Sequence, residues 1–108
     1  MDHVQEMEAI KRLLIERGVR ILIAEVHDHM GSPWTIECDT TPPIYVTADG
    51  RDGGFKVEYW ADYDRTERLW FQFPEMESVL YMPFSEYKRE SVIDAVVRTI
   101  GRSTAWRR

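Results

Sequence analysis

Residues 55–73 read FKVEYWADYDRTERLWFQF, two alternating apolar runs joined by a polar turn. Side chains alternate across a strand, so period-two alternation is the strand signal. Phe55, Val57, Tyr59 and Ala61 share one face of the first run, and Leu69, Phe71 and Phe73 share one face of the second. With a turn over Asp62 to Thr66, Tyr59 faces Leu69, Val57 faces Phe71 and Phe55 faces Phe73. The expected β-hairpin then has all its large apolar residues on one side. A slip of one residue would turn the whole set over, which pins the register.

The opposite face of this hairpin is unusual. The same register sets Lys56 across from Gln72, Glu58 across from Trp70 and Trp60 across from Arg68. A solvated face is ordinarily polar throughout, yet this one carries two tryptophans among charges. A guanidinium over an exposed indole is worth ~0.5–1 kcal/mol. Such pairs stabilise a sheet, and they also suit a binding surface. Asp62, Tyr63 and Asp64 sit at the hairpin tip, where a tyrosine between acids makes a contact loop. Tyr, Trp and Arg are favoured interface anchors.

Outward from the hairpin, the third strand 44–48 pairs with 55–61. Ile44 faces Tyr59, Val46 faces Val57 and Ala48 faces Phe55, which keeps the large apolar groups on the common face. The loop DGRDGG (49–54) joins them and lacks the oxygen-ligand count of a calcium loop. Residues 34–38 form a strand paired with 19–27, Val26 opposite Ile36 and Ala24 opposite Cys38. The run Ile21 to Ala24 is apolar on both faces and reads as a strand buried on both sides. Pro42 and Pro43 end strand 34–38. A further strand, 78–82, follows Pro74. A five-residue connection points Val79 and Tyr81 inward, and a four-residue one points Leu80 and Met82 inward.

Two helices flank these strands. Residues 2–17 carry an apolar stripe at Met7, Ile10, Leu13 and Leu14, with Asp2 as N-cap and Gly18 as stop. Residues 85–100 carry Val92, Ile93, Val96, Val97 and Ile100 on one face, with Ser85 as N-cap and Gly101 as stop. Residues 102–108, rich in arginine, are expected to be a mobile basic tail. The fold expected is α+β and two-layer, a single domain over residues 1–108. A five-stranded antiparallel β-meander, drawn from the candidate segments 19–27, 34–38, 44–48, 55–61, 67–73 and 78–82, is flanked by N-terminal and C-terminal helices.

Composition narrows the function classes. The chain has 108 residues, 44% of them hydrophobic, enough for a core of its own. No apolar run approaches the ~20 residues of a membrane span. The N-terminus MDHVQEMEAI lacks the basic and apolar regions of a signal peptide. One cysteine, Cys38, forms no internal disulfide framework. A cytoplasmic location is expected. The net charge of −5 is unevenly placed: residues 25–86 carry thirteen acids and four bases, whereas residues 87–108 carry two acids and six bases. The acidic sheet region disfavours direct nucleic-acid contact and suits a basic partner, including a nucleic-acid-binding protein whose site it would block.

Motifs for catalysis are sparse. There is no G-x-G-x-x-G, Walker or G-x-S-x-G pattern. His27 and His29, two apart at a strand end, are the candidate metal ligands, since zinc takes histidine, cysteine and carboxylate. The pairing of Cys38 with Ala24 places its thiol about 10 Å from His27. Glu37 and Asp39 flank Cys38, and negative charge raises a thiol pKa. The sequence reading is therefore a small acidic non-enzymatic protein-binding module of inhibitor, immunity or adaptor type, with no cofactor. Its binding residues are Trp60, Trp70, Arg68, Glu58, Asp62, Tyr63 and Asp64. The alternatives are a small metal-dependent enzyme or metal-binding protein using His27 and His29, and a homodimer that buries the aromatic face.

Overall fold

The common apolar face exists, and one side of the sheet is built on it. The computed structural model describes residues 3–26, 34–40, 42–49, 53–60 and 76–106. In chain order these form α1 (His3–Glu16), β1 (Ile21–Val26), β2 (Trp34–Cys38), β3 (Ile44–Asp49), β4 (Gly54–Trp60), β5 (Met76–Pro83), a 3-10 turn (Phe84–Glu86) and α2 (Arg89–Trp106). The strands make one antiparallel sheet in the order β1-β2-β3-β4-β5. This is an α+β fold.

Alternation decides what is buried. Trp34, Ile36 and Cys38 of β2, Ile44, Val46 and Ala48 of β3, and Phe55 and Val57 of β4 are all buried, and register joins them into one face. Met7, Ile10 and Leu14 of α1 and Val92, Ile93, Ala95 and Val96 of α2 close over that face to make the core. Both helices therefore lie on the same side. The β3–β4 register is the expected one: Ile44 faces Tyr59, Val46 faces Val57 and Ala48 faces Phe55. Thr99 is the buried polar residue of α2, and its hydroxyl donates to the Ala95 carbonyl at 2.7 Å. The indole Nε1 of Trp34 is buried and has no acceptor among the described residues.

Several expectations are corrected. First, β4 does not pair with 67–73. Its two edges are taken by β3 and by Met76–Pro83, so Phe55 faces Met82, Val57 faces Leu80 and Tyr59 faces Glu77. Residues 67–73 lie outside the described residues. Second, β1 pairs with β2 two residues away from the expected register: Val26 faces Trp34 and Ala24 faces Ile36. A shift of two keeps every side chain on its face, so the apolar pattern alone does not exclude it. Third, β1 is not buried on both sides. Among the described strands it lies at the edge of the sheet, and Leu22 is 57% exposed. Fourth, Ser85 does not cap α2. Residues 84–86 form the 3-10 turn, Tyr87 is extended and α2 starts at Arg89. Gly101 does not end that helix, which continues to Trp106. A glycine inside a helix costs about 1 kcal/mol, and residues 102–106 are helical rather than a tail; 107–108 lie outside the described residues.

Local chemistry explains the ends of α1 and β5. Gly18 adopts φ 85°. Its N–H donates to the Ile15 carbonyl at 2.9 Å, and the Val19 N–H donates to the Leu14 carbonyl at 2.9 Å. This is the Schellman arrangement, in which glycine takes the left-handed position without a Cβ penalty. The apolar contact that accompanies it is between the buried Val19 and Leu14. In β5 a bulge falls between the Val57–Leu80 and Glu58–Ser78 pairs, leaving Val79 without a direct partner. Leu80 and Met82 thereby take core-side positions opposite Val57 and Phe55, and Tyr81 goes outward, 47% exposed.

Candidate functional site

With both helices on one side, the other side of the sheet is a regular surface that no described element covers. Two cross-strand rows make it up. The first runs Thr35–Thr47–Lys56–Tyr81 through β2, β3, β4 and β5. The second runs Glu37–Tyr45–Glu58–Ser78. Thr35, Glu37, Tyr45, Thr47, Lys56 and Glu58 are half-buried, packed against one another as cross-strand neighbours are. Glu37 and Glu58 flank Tyr45, one strand away on either side, which by sheet spacing is about 4.8 Å each. The face thus offers a tyrosine between two carboxylates, beside a lysine and a second, exposed tyrosine.

Tyr81 is held by a glycine. A Cβ on Gly54 would lie 2.9 Å from Tyr81 Cε1 and 2.5 Å from the Met82 carbonyl oxygen. Only a residue without a side chain admits the ring and backbone so closely. The ring covers the gap that glycine leaves in the strand, a known compensation for a glycine in a sheet.

Of the expected binding residues, Glu58 lies on this face. Its neighbours are Tyr45 and Ser78, not Trp70. Lys56 stands opposite Tyr81 rather than Gln72, and Trp60, the last residue of β4, pairs with Met76 rather than Arg68. Asp62, Tyr63, Asp64, Arg68 and Trp70 lie outside the described residues, as do His27 and His29. Among the described residues no group of three or more His, Cys, Asp or Glu side chains could hold a metal ion. Tyr45, Tyr81, Glu37, Thr35 and Thr47 were not singled out from sequence. Their signal was present: the pairing of Ile44 with Tyr59 already sets Tyr45 beside Glu58.

A second polar cluster lies where α1 meets the start of α2. The Tyr87 hydroxyl donates to Glu6 Oε1 at 2.8 Å, Arg89 Nε donates to the same oxygen at 3.1 Å, and Arg89 Nη2 donates to Oε2 at 3.0 Å. Tyr87 stacks on Phe55 with ring centroids 4.2 Å apart, and Phe84 meets Phe55 edge-on at 5.3 Å. The hydrogen bonds from Arg89, and then from Tyr87, hold the Glu6 carboxyl below its ordinary range. Burial, then the bond to the Glu6 carboxylate, pushes the Tyr87 phenol up. The cluster is a clamp between elements: every polar atom named has its partner within it. A nearby hollow lined by Leu13, Lys88, Arg89, Glu90, Ser91 and Asp94 carries mixed charge on an open surface.

Cys38 is the chain's one thiol. It is buried on the core face, and burial, with a contribution from Glu37, pushes its thiol up to about 12. A thiol at neutral pH is a poor nucleophile. No helix among the described residues is long and apolar enough to cross a membrane. Comparison with known proteins gives no match: no family model, no curated protein and no solved structure matches the chain.

Proposed function

We propose that this chain is a small cytoplasmic, non-enzymatic protein-binding module that works through the outer face of its sheet. The observation that carries the reading is the placement of α1 and α2 on one side, which leaves a regular surface of Thr35, Glu37, Tyr45, Thr47, Lys56, Glu58 and Tyr81 on the other. Tyrosines framed by charge are the composition of an interface centre more than of an ordinary solvated face. The surplus of nine acids over bases in residues 25–86 favours a basic partner.

The chain leaves β4 at Trp60 and re-enters β5 at its cross-strand partner Met76. Asp62, Tyr63, Asp64, Arg68 and Trp70 belong to the intervening segment, outside the described residues, and with Trp60 they remain part of the proposed contact set.

The test is affinity capture from native lysate with three baits. One is wild type. The second carries Glu37→Lys, Glu58→Lys and Tyr81→Ser on the outer face. The third carries Arg98→Glu on the exposed side of α2. A protein held by the first and third baits and lost by the second, with circular dichroism unchanged, supports the reading. A protein held equally by all three removes the outer face as the site.

A further inference from the structure

Among the described side chains three carboxylates are half-buried: Glu6, Glu37 and Glu58. Taking a charge part-way out of water costs free energy unless a partner answers it. For Glu6 the partners are the guanidinium of Arg89, bound at two points, and the hydroxyl of Tyr87. Glu37 and Glu58 also flank a tyrosine, Tyr45, one on each side in a single cross-strand row. No described residue gives either of them a hydrogen bond or an ion pair. Lys56 is the one base among the described residues of this face, and it stands opposite Thr47 and Tyr81, in the neighbouring row. The outer face thus repeats the carboxylate and the tyrosine of the Glu6 clamp without its arginine.

We propose that the partner protein supplies that arginine: its guanidinium lies on the Tyr45 ring, with one N–H edge on Glu37 and the other on Glu58. The proposal rests on the outer face being the binding surface and names what that surface recognises. Size selects the cation. Two strand spacings separate Glu37 from Glu58, about 10 Å between backbones. A guanidinium with a hydrogen bond from each end spans about 8 Å from oxygen to oxygen, so two short side-chain adjustments close the site. An ammonium makes both bonds from one nitrogen and spans about 5 Å. It would draw two like charges together over the ring. A guanidinium also stacks flat on an aromatic face, whereas an ammonium is a compact and strongly hydrated point charge. The surplus of nine acids over bases in residues 25–86 adds a field that attracts a basic segment around this arginine. That field acts on lysine and arginine alike, so the preference between them belongs to the row itself.

The test is an NMR titration of the whole nitrogen-15-labelled chain with two blocked peptides of equal charge, a four-fold Arg-Gly repeat and a four-fold Lys-Gly repeat. The arginine peptide should bind about fivefold more tightly, with saturating amide shifts centred on Glu37, Tyr45 and Glu58. Glu37→Gln with Glu58→Gln should bring the ratio of the two affinities to one, and Tyr45→Leu should lower it. Glu86→Gln with Glu90→Gln removes the same charge from exposed positions of the 3-10 turn and α2; both peptides should weaken and the ratio should stand. The amide spectrum of each variant reports its fold. Equal affinities in wild type, shifts centred elsewhere, or an arginine preference that survives Glu37→Gln with Glu58→Gln overturns the proposal. The two readings fail separately. A partner lost on outer-face substitution in the capture experiment, with no arginine preference here, leaves the binding face and removes the arginine. An arginine preference seated on this row, with a captured protein that ignores the outer face, leaves the cation site and removes that face as the partner's.

Discussion

The clamp between α1 and α2 gives the sharpest stability prediction, through Glu6→Gln. The substitution keeps side-chain volume and removes the charge that Arg89 and Tyr87 both address. The Arg89 and Glu6 side chains are 44% and 22% exposed. Their ion pair is therefore largely solvent-screened, worth ~0.5–1 kcal/mol despite good two-point geometry. The Tyr87 hydroxyl is part-buried and donates to a carboxylate at 2.8 Å. A neutral amide oxygen can still accept that bond, so the loss there is about half of the ~1.5 kcal/mol a bond to a charged group contributes. The expected cost is about 1.5 kcal/mol, or roughly 6–10 °C in melting temperature for a domain of this size. Urea denaturation at pH 7 should show a lower midpoint with an unchanged slope. Glu6→Gln combined with Tyr87→Phe should be less than additive, since the first weakens the bond that the second removes.

The pH dependence follows from the same groups. The folded Glu6 carboxyl titrates below its ordinary value of 4.5. Its contribution is therefore present above that value and is lost as pH falls through the lower, folded value. The gap in stability between wild type and Glu6→Gln should be constant around neutrality and close in acid. Tyr87 has the opposite sign. Its folded phenol titrates above the ordinary 10.0, so its contribution is complete below pH 10.0 and is lost as pH rises beyond it. Tyr87→Phe should remove that alkaline loss. A Glu6→Gln protein that melts with wild type at pH 7, or a deficit that persists undiminished in acid, would refute the reasoning.

Three other outcomes are expected. Gly54→Ala should cost ~1–3 kcal/mol, because its Cβ meets the Met82 backbone oxygen and the Tyr81 ring, and Tyr81→Ala in the same background should recover only the ring's share; chemical denaturation measures both. Gly18→Ala should cost about 1 kcal/mol for the left-handed φ alone, since nothing lies within 4 Å of the added methyl; the melting temperature reads it, and Gly18→Asn should cost less. Cys38 should resist iodoacetamide in the native protein at pH 8 and react at the rate of unfolding, because its thiol is buried and pushed up to about 12; rapid native alkylation, followed by mass, would contradict the buried placement.

The β3–β4 pairing was legible because two facts coincide there. Both strands alternate cleanly, and the short loop of residues 49–54 allows little freedom in register. Tyr45 and Thr47 opposite Glu58 and Lys56 follow from that pairing without further information, so part of the outer face was readable as well. The partner on the other side of β4 was not. Residues 67–73 and 76–83 are both credible strands by local pattern. Lengthening the connection from the five residues of the expected turn to the fifteen of 61–75 costs only about 1 kcal/mol of closure entropy. That is too little to choose between them. The choice goes with contacts distant in sequence: with β5 beside β4, the Phe84 N–H reaches the Gly53 carbonyl at 2.9 Å, and Phe84 and Tyr87 pack on Phe55. Those same contacts hold Tyr87 extended and delay α2 to Arg89, which an N-cap argument from Ser85 had no means to see.

Periodicity, turn glycines and helix stops are properties of neighbouring residues, and from them the sequence by itself determined an α+β chain with helices at both ends, the alternating apolar set on β2, β3 and β4, and the glycine stop of α1. Which strand borders which, that β1 lies at the edge, and that Tyr81 faces outward over Gly54 were decided only in the tertiary structure. An apolar strand has the same local pattern in the middle of a sheet as at its margin. Its place depends on which segments fill the edges of its neighbours, and that competition is settled by packing between residues far apart in the chain.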